Sequence, residues 1–182
     1  MLAFTRRTLL ALPLLAALPA FADEAPTNTI DLKTKNGDIV IKLRPDLAPK
    51  HVAQIRALVA RHFYDGIVFH RVIPEFMAQT GDPTGTGSGG SDLPNVPLEV
   101  SQEPFKRGTL GMARAQDPDS ANSQFFICTA DAAFLNGNYT VFGEVVSGME
   151  VVDKIKAGTK ANNGAVKSPD KIVSIRFAPD AN

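Results

Sequence analysis

One cysteine, Cys128, is all that the 182 residues contain. No intrachain disulfide can form, so stability must come from a packed core alone. An excess of one charge is also missing. The 19 Lys and Arg balance the 19 Asp and Glu, which removes the electrostatic reason to expect nucleic acid or an anionic membrane as a partner. Metal-ligand spacing is absent too. His51, His62 and His70 form no HxxxH or HxH pair, there is no cysteine pair, and no metal or other cofactor is indicated. Neither GxSxG, HExxH nor a pair of catalytic carboxylates can be placed, which argues against a hydrolase. Cys128 itself lies in the apolar run Gln124-Phe125-Phe126-Ile127-Cys128 and reads as a packed thiol, not a nucleophile. His70, between Phe69 and Arg71, reads as a structurally hydrogen-bonded histidine. Gly85-Thr86-Gly87-Ser88-Gly89-Gly90 fits GxGxxG. It continues into Ser91-Asp92-Leu93-Pro94, which opens no helix for a phosphate, so it reads as a flexible surface loop.

What is present divides at residue 22. Arg6 and Arg7 precede an apolar run, Leu9 to Leu18, broken only by Pro13. That run is short of the ~20 residues of a membrane span. Ala20-Phe21-Ala22 fits a small-x-small cleavage site before Asp23. Residues 1–22 are thus expected to be a signal peptide, of the Sec or the twin-arginine type. Periplasmic export follows, with no membrane attachment after cleavage. The mature chain carries 17 basic and 19 acidic groups, a net −2. Residues 23–28 read as a short flexible lead, 29–178 as one domain and 179–182 as a tail. With 44% hydrophobic and 21% charged residues, the domain has the composition of a globular protein.

Ile30 and Leu32 alternate with polar residues, as do Ile39, Ile41 and Leu43. Asn36-Gly37 between them predicts a hairpin with both turn residues at positive φ. Pro49 suits a helix first turn, and Val52, Ile55, Val59 and His62 form an apolar stripe. That helix is expected to end near Tyr64-Asp65-Gly66. A second helix is expected from Ser147, with Ser147 and Glu150 as a capping box. Six further runs read as short strands: 67–73, 76–80, 109–115, 124–129, 140–146 and 172–177. Many short strands with two helices predict a mainly β chain, a closed barrel or a sandwich.

The most informative stretch is Phe69-His70-Arg71-Val72-Ile73-Pro74-Glu75-Phe76-Met77-Ala78-Gln79-Thr80-Gly81-Asp82. An arginine, an amide and an acid interrupt apolar strands. By strand parity Arg71 shares a face with Phe69 and Ile73, and Gln79 with Met77. Few fixed donors among Phe and Met side chains make a binding groove. This segment resembles the FHRVI-x-x-FM-x-Q-x-GD signature of the cyclophilins. Gly108-Thr109-Leu110-Gly111-Met112-Ala113, Ser123-Gln124-Phe125-Phe126-Ile127, and Phe134-Leu135-Asn136-Gly137 leading to Val141-Phe142-Gly143 agree in order. The resemblance covers about residues 29 to 178.

That resemblance implies an eight-stranded antiparallel barrel closed by two helices and a peptidyl-prolyl cis/trans isomerase that needs no cofactor. Arg71 would be the catalytic arginine, oriented by Gln79. Phe76, Met77, Phe126 and Leu135 would hold the proline ring, while Ala113, Arg114, Ala115 and Gln124 line the path of the peptide backbone. Phe134 stands where many members have tryptophan, Tyr139 where many have histidine, and Arg114 replaces a frequent asparagine. Loss of the tryptophan is expected to weaken the family's cyclic peptide inhibitor, cyclosporin. The expected partners are proline-containing, partly folded polypeptides, met by a monomer that assists the folding of exported proteins. The alternative is a proline-peptide binding module or holdase chaperone without important catalysis.

Overall fold

The computed structural model describes residues 27–179. The expected signal peptide, residues 23–26 of the lead and the last three residues of the tail lie outside these. Thr27 and Asn28, expected to be flexible, are tied down: the Thr27 hydroxyl donates to the Ala178 carbonyl at 2.5 Å and the Asn28 carbonyl accepts from Leu43 N at 2.7 Å.

Strands β1 (Thr29–Thr34) and β2 (Gly37–Leu43) form the expected hairpin, with a different turn. Leu32 pairs with Ile39 and Ile30 with Ile41, and all four are buried. Burying that apolar set fixes the register, so the turn is Lys35-Asn36 and Thr34 pairs with Gly37. Only Gly37 takes a positive φ there, 134°.

Helix α1 (Pro49–Ala60) starts at proline as expected but ends a turn early. His62 sits at φ 56°, exposed, while His51 is buried in its place. A left-handed residue stops the helix, so the stripe ends at Val59. No side chain next to the helix caps its N-terminus. Glu99 does so from the far loop, accepting the Lys50 and His51 amides at 3.1 Å and the His51 ring Nδ1 at 2.7 Å.

The remaining strands are β3 (Arg71–Ile73), β4 (Met77–Thr80), β5 (Thr109–Met112), β6 (Phe125–Cys128), β7 (Val141–Ser147) and β8 (Ile172–Ala178). The sheet runs β3-β4-β6-β5-β7-β2-β1-β8, antiparallel throughout. It curls until its two edges approach, without pairing as β3 to β8. The backbone ahead of β3 and around the start of β8 makes the junction: Phe69 N donates to Asp170 O and Ile172 N to Ile67 O, at 2.9 and 2.8 Å. "Closed" therefore overstates the barrel. The second helix, α2 (Met149–Val152), corrects another expectation. Ser147 is still in β7, paired with Val40, and Gly148 at φ 92° is the N-cap, with no side-chain cap bond.

Alternation along β4 and β6 builds two cores back to back. Ala78, Phe125 and Ile127 face the interior with Leu32, Ile41, Ile55 and Phe142. Met77, Phe126 and Cys128 face outward and pack with Phe105, Leu135 and Val141. This second, outer cluster is the floor of the candidate site.

Candidate active site

Register alone sets the site's main row. Arg71 on β3 pairs with Gln79 on β4, Gln79 with Phe126 on β6, and Phe126 with Gly111 on β5. Paired residues on antiparallel strands present side chains to the same face, so an arginine, an amide and an aromatic ring stand in line. Phe105 and Phe126 stack across Gly111, their ring centroids 5.8 Å apart. A β-carbon on Gly111 would collide with both rings.

The Arg71 guanidinium is held from two sides. Nη1 donates to Gln79 Oε1 at 3.1 Å, Nε to the Asn163 carbonyl at 3.0 Å and Nη2 to Asn163 Oδ1 at 2.9 Å. A guanidinium has five N–H bonds. These three contacts leave one on each terminal nitrogen for a ligand. Burial lowers the arginine's pKa from its ordinary value, yet it remains a cation at any ordinary pH.

Gln79 is itself oriented. Its Nε2 donates to Gln124 Oε1 at 2.9 Å, and Gln124 Nε2 donates to the Gly89 and Gly87 carbonyls at 2.8 and 3.1 Å. Those carbonyls belong to the glycine-rich loop, which Asp82 anchors. The buried Asp82 carboxylate accepts Thr84 N and Thr84 Oγ1, both at 2.8 Å, and Gly87 N at 2.6 Å. Burial would raise this acid, but the Thr84 hydroxyl and the loop amides outweigh it and hold it at about 2. The loop expected to be flexible is thus built around a carboxylate, and its order reaches Arg71 through two amides.

Beside the guanidinium lies an apolar hollow. Met77, Phe126 and Leu135 are buried, and Phe76 is half-buried. Phe134 leans on Phe76 with centroids 5.2 Å apart, and Tyr139 meets Phe126 edge-on at 6.1 Å. The hollow and the Arg71 side of the groove enclose about 890 Å³. A second cavity of about 610 Å³ adjoins it, lined by Ala113, Arg114, Ala115, Gln124 and the glycine loop. The expected site residues all line one cavity or the other.

A cationic fork thus stands beside an apolar hollow. The model of one family, described as cyclophilin type peptidyl-prolyl cis-trans isomerase/CLD, matches residues 29–177. The chain belongs to the cyclophilin-type peptidyl-prolyl cis-trans isomerases. A probable peptidyl-prolyl cis-trans isomerase of Brucella suis is 58% identical over 166 residues, covering 85% of each chain. A peptidyl-prolyl cis-trans isomerase of Acinetobacter baylyi is 39% identical over 167 residues, covering 81% of this chain and 84% of its own. Among solved structures, the cyclophilin AquaCyp293 of Hirschia baltica superposes with a TM-score of 0.75 at 28% identity, over 87% of this chain and 76% of that one. A Cryptosporidium parvum cyclophilin solved in the presence of the dipeptide Ala-Pro superposes at 0.76 and 29% identity, over 84% of this chain and 99% of that one.

Within this cyclophilin, several expectations need correction. Phe69 does not share the Arg71 face: it is buried in the interior core. It lies ahead of β3, where strand alternation has not begun. His70 is buried, but neither ring nitrogen has a hydrogen-bond partner of good geometry. Burial, the largest influence, lowers its pKa. It walls the groove beneath the glycine loop. Cys128 is fully buried and its thiol is pushed up to about 12 by burial, in keeping with a packed residue.

Asn163 and Asp82 were given no role by the sequence. Asn163, at φ 55° after the 3-10 turn Lys160–Asn162, comes from a loop that covers the β3 edge. Val72 N donates to Gly164 O and Gly158 N to Val72 O, at 2.8 and 3.0 Å. Asn163 leaves no sequence signal near the signature. Asp82 was visible as an acid at the end of the signature, but its partners were not.

Proposed function

We propose that this cyclophilin binds X-Pro segments of partly folded polypeptides in the groove and lowers the barrier to their rotation, with Arg71 as the catalytic residue. The observation that carries this reading is the pair of unengaged Arg71 N–H bonds beside the Phe76, Met77, Phe126 and Leu135 hollow. Resonance opposes rotation by roughly 18–20 kcal/mol. In the twisted state the proline nitrogen regains a lone pair. Arg71 donates to that lone pair or holds the carbonyl oxygen, while the hollow grips the ring and excludes water that favours the planar amide. This is tighter binding of the transition state than of either ground state. The Cryptosporidium relative's Ala-Pro dipeptide supports proline as the recognised residue.

The mature protein acts as a monomer in the periplasm, on exported chains, after cleavage between Ala22 and Asp23. The motifs of residues 1–22 support the export and the cleavage. Two measurements test the reading. Purified protein beginning at Asp23 should accelerate cis-to-trans conversion of an X-Pro tetrapeptide in proportion to its concentration. Peptide binding without acceleration would favour the holdase instead. Intact mass of the protein from the envelope fraction should match a start at Asp23, and retained residues 1–22 would mean an anchor.

A further inference from the structure

Resting on the proposed peptide-binding role of the groove, we infer that Arg114 makes this isomerase select an acidic side chain close to the proline. Arg114 lines both cavities, at the ridge between them. Its guanidinium is fixed there. Nη1 donates to the Ala115 and Gln116 carbonyls at 2.9 and 3.3 Å, and Nη2 to the Asn138 carbonyl at 3.0 Å. Its Cζ lies 4.6 Å from the Tyr139 ring centroid, a cation–π distance. Nε is buried without a partner, and one N–H on Nη2 remains for a ligand.

Like Arg71, and like Arg56 outside the groove, this arginine has no carboxylate partner among the described residues. Arg44, Arg61, Arg107 and Arg176 each bind a carboxylate. Arg71 and Arg114 contact only carbonyls, amides and a ring. Among the described residues, no aspartate or glutamate lines either cavity. The acids nearest in sequence, Asp117 and Asp119, lie on the exposed turn and accept backbone amides, of Asp119 and Leu98. The peptide path therefore carries two uncompensated positive charges, in a chain whose mature form is net −2. A concave surface of one sign focuses its field on whatever enters. Arg71 faces the reacting bond, which leaves Arg114 to read the neighbouring side chain. A carboxylate there would meet a preorganised cation, and a lysine would be repelled.

The test uses X-Pro peptides in which each of the two positions before and the two after proline is in turn Ala, Glu or Lys. At one or more positions kcat/KM for Glu should exceed that for Lys by about three- to tenfold, the range of a half-exposed charge pair. The ratio should fall toward one in about 0.5 M salt and in Arg114→Gln, while Arg114→Lys keeps its sign. The inference is overturned if the Ala peptides are turned over but Glu and Lys agree within about twofold at every position. It is overturned equally if the preference survives Arg114→Gln or does not respond to salt. No turnover of any peptide would overturn the isomerase reading beneath it.

Discussion

Asp82→Asn removes one charge from the hub of the glycine loop while keeping the side chain's shape. The amide oxygen can still accept from Thr84, but the amide nitrogen then faces Gly87 N, where a carboxylate oxygen now sits at 2.6 Å. A charge-assisted hydrogen bond becomes a donor facing a donor. The loss is about 2 kcal/mol, or about 4–8 °C in Tm for a domain of this size. Because Gly87 and Gly89 carbonyls hold Gln124, and Gln124 holds Gln79, the Arg71 fork should loosen as well. A fall of a few-fold in kcat/KM is expected. The pH dependence has a defined sign. Asp82's pKa in the folded protein is depressed to about 2 from an ordinary 3.8, so its contribution is complete above about pH 4 and is lost as pH falls toward 2. The Tm difference between the wild type and Asp82→Asn should therefore be largest near neutrality and shrink below pH 4. Paired thermal scans from pH 7 to pH 2 measure it. Equal Tm values at pH 7, or a gap that does not change with pH, would refute the idea that this carboxylate organises the loop.

Three other outcomes are expected. Cys128, with its thiol raised to about 12, should resist alkylation by iodoacetamide at pH 8 in the native protein and react fully in denaturant. Gly111→Ala should cost about 1–3 kcal/mol, read by urea titration, and should weaken peptide binding, because the methyl displaces the Phe105–Phe126 stack. Phe134→Trp should bind cyclosporin one to two orders of magnitude more tightly, roughly the effect of restoring an indole donor, with little change in kcat/KM. Equal affinity of the two proteins in an inhibitor titration would show that this exposed ring does not control inhibitor binding.

The parts of the site carried by strand alternation were legible in the sequence. Gln79 shares a face with Met77, as parity predicts, and Phe126, which the family resemblance placed in the groove, alternates with the interior Phe125 and Ile127. These are consequences of period two, written within a few residues. Parity failed at Phe69 because the strand begins only at Arg71. The supports of the site were not legible. Asn163 meets Arg71 from 92 residues away, and Glu99 caps α1 from 48 and 49. Such partners are brought together by topology and leave no local pattern. Turn chemistry misled at Asn36, where pairing of buried residues decided the register, and cap chemistry at Ser147, which pairs with Val40 as the last residue of β7. The glycine-rich loop looked flexible because its composition shows conformational freedom and not the carboxylate that removes it.

The central claim is that Arg71 stabilises the twisted X-Pro bond. Measuring kcat/KM of Arg71→Ala on an X-Pro tetrapeptide, with circular dichroism to confirm folding, tests it most directly. One charge-assisted contact is worth ~1.5–3 kcal/mol, so activity should fall about ten- to hundredfold. Arg71→Lys should be little better, since a point charge cannot reproduce the fork that Gln79 and Asn163 hold. A folded Arg71→Ala protein with near wild-type kcat/KM would contradict the account.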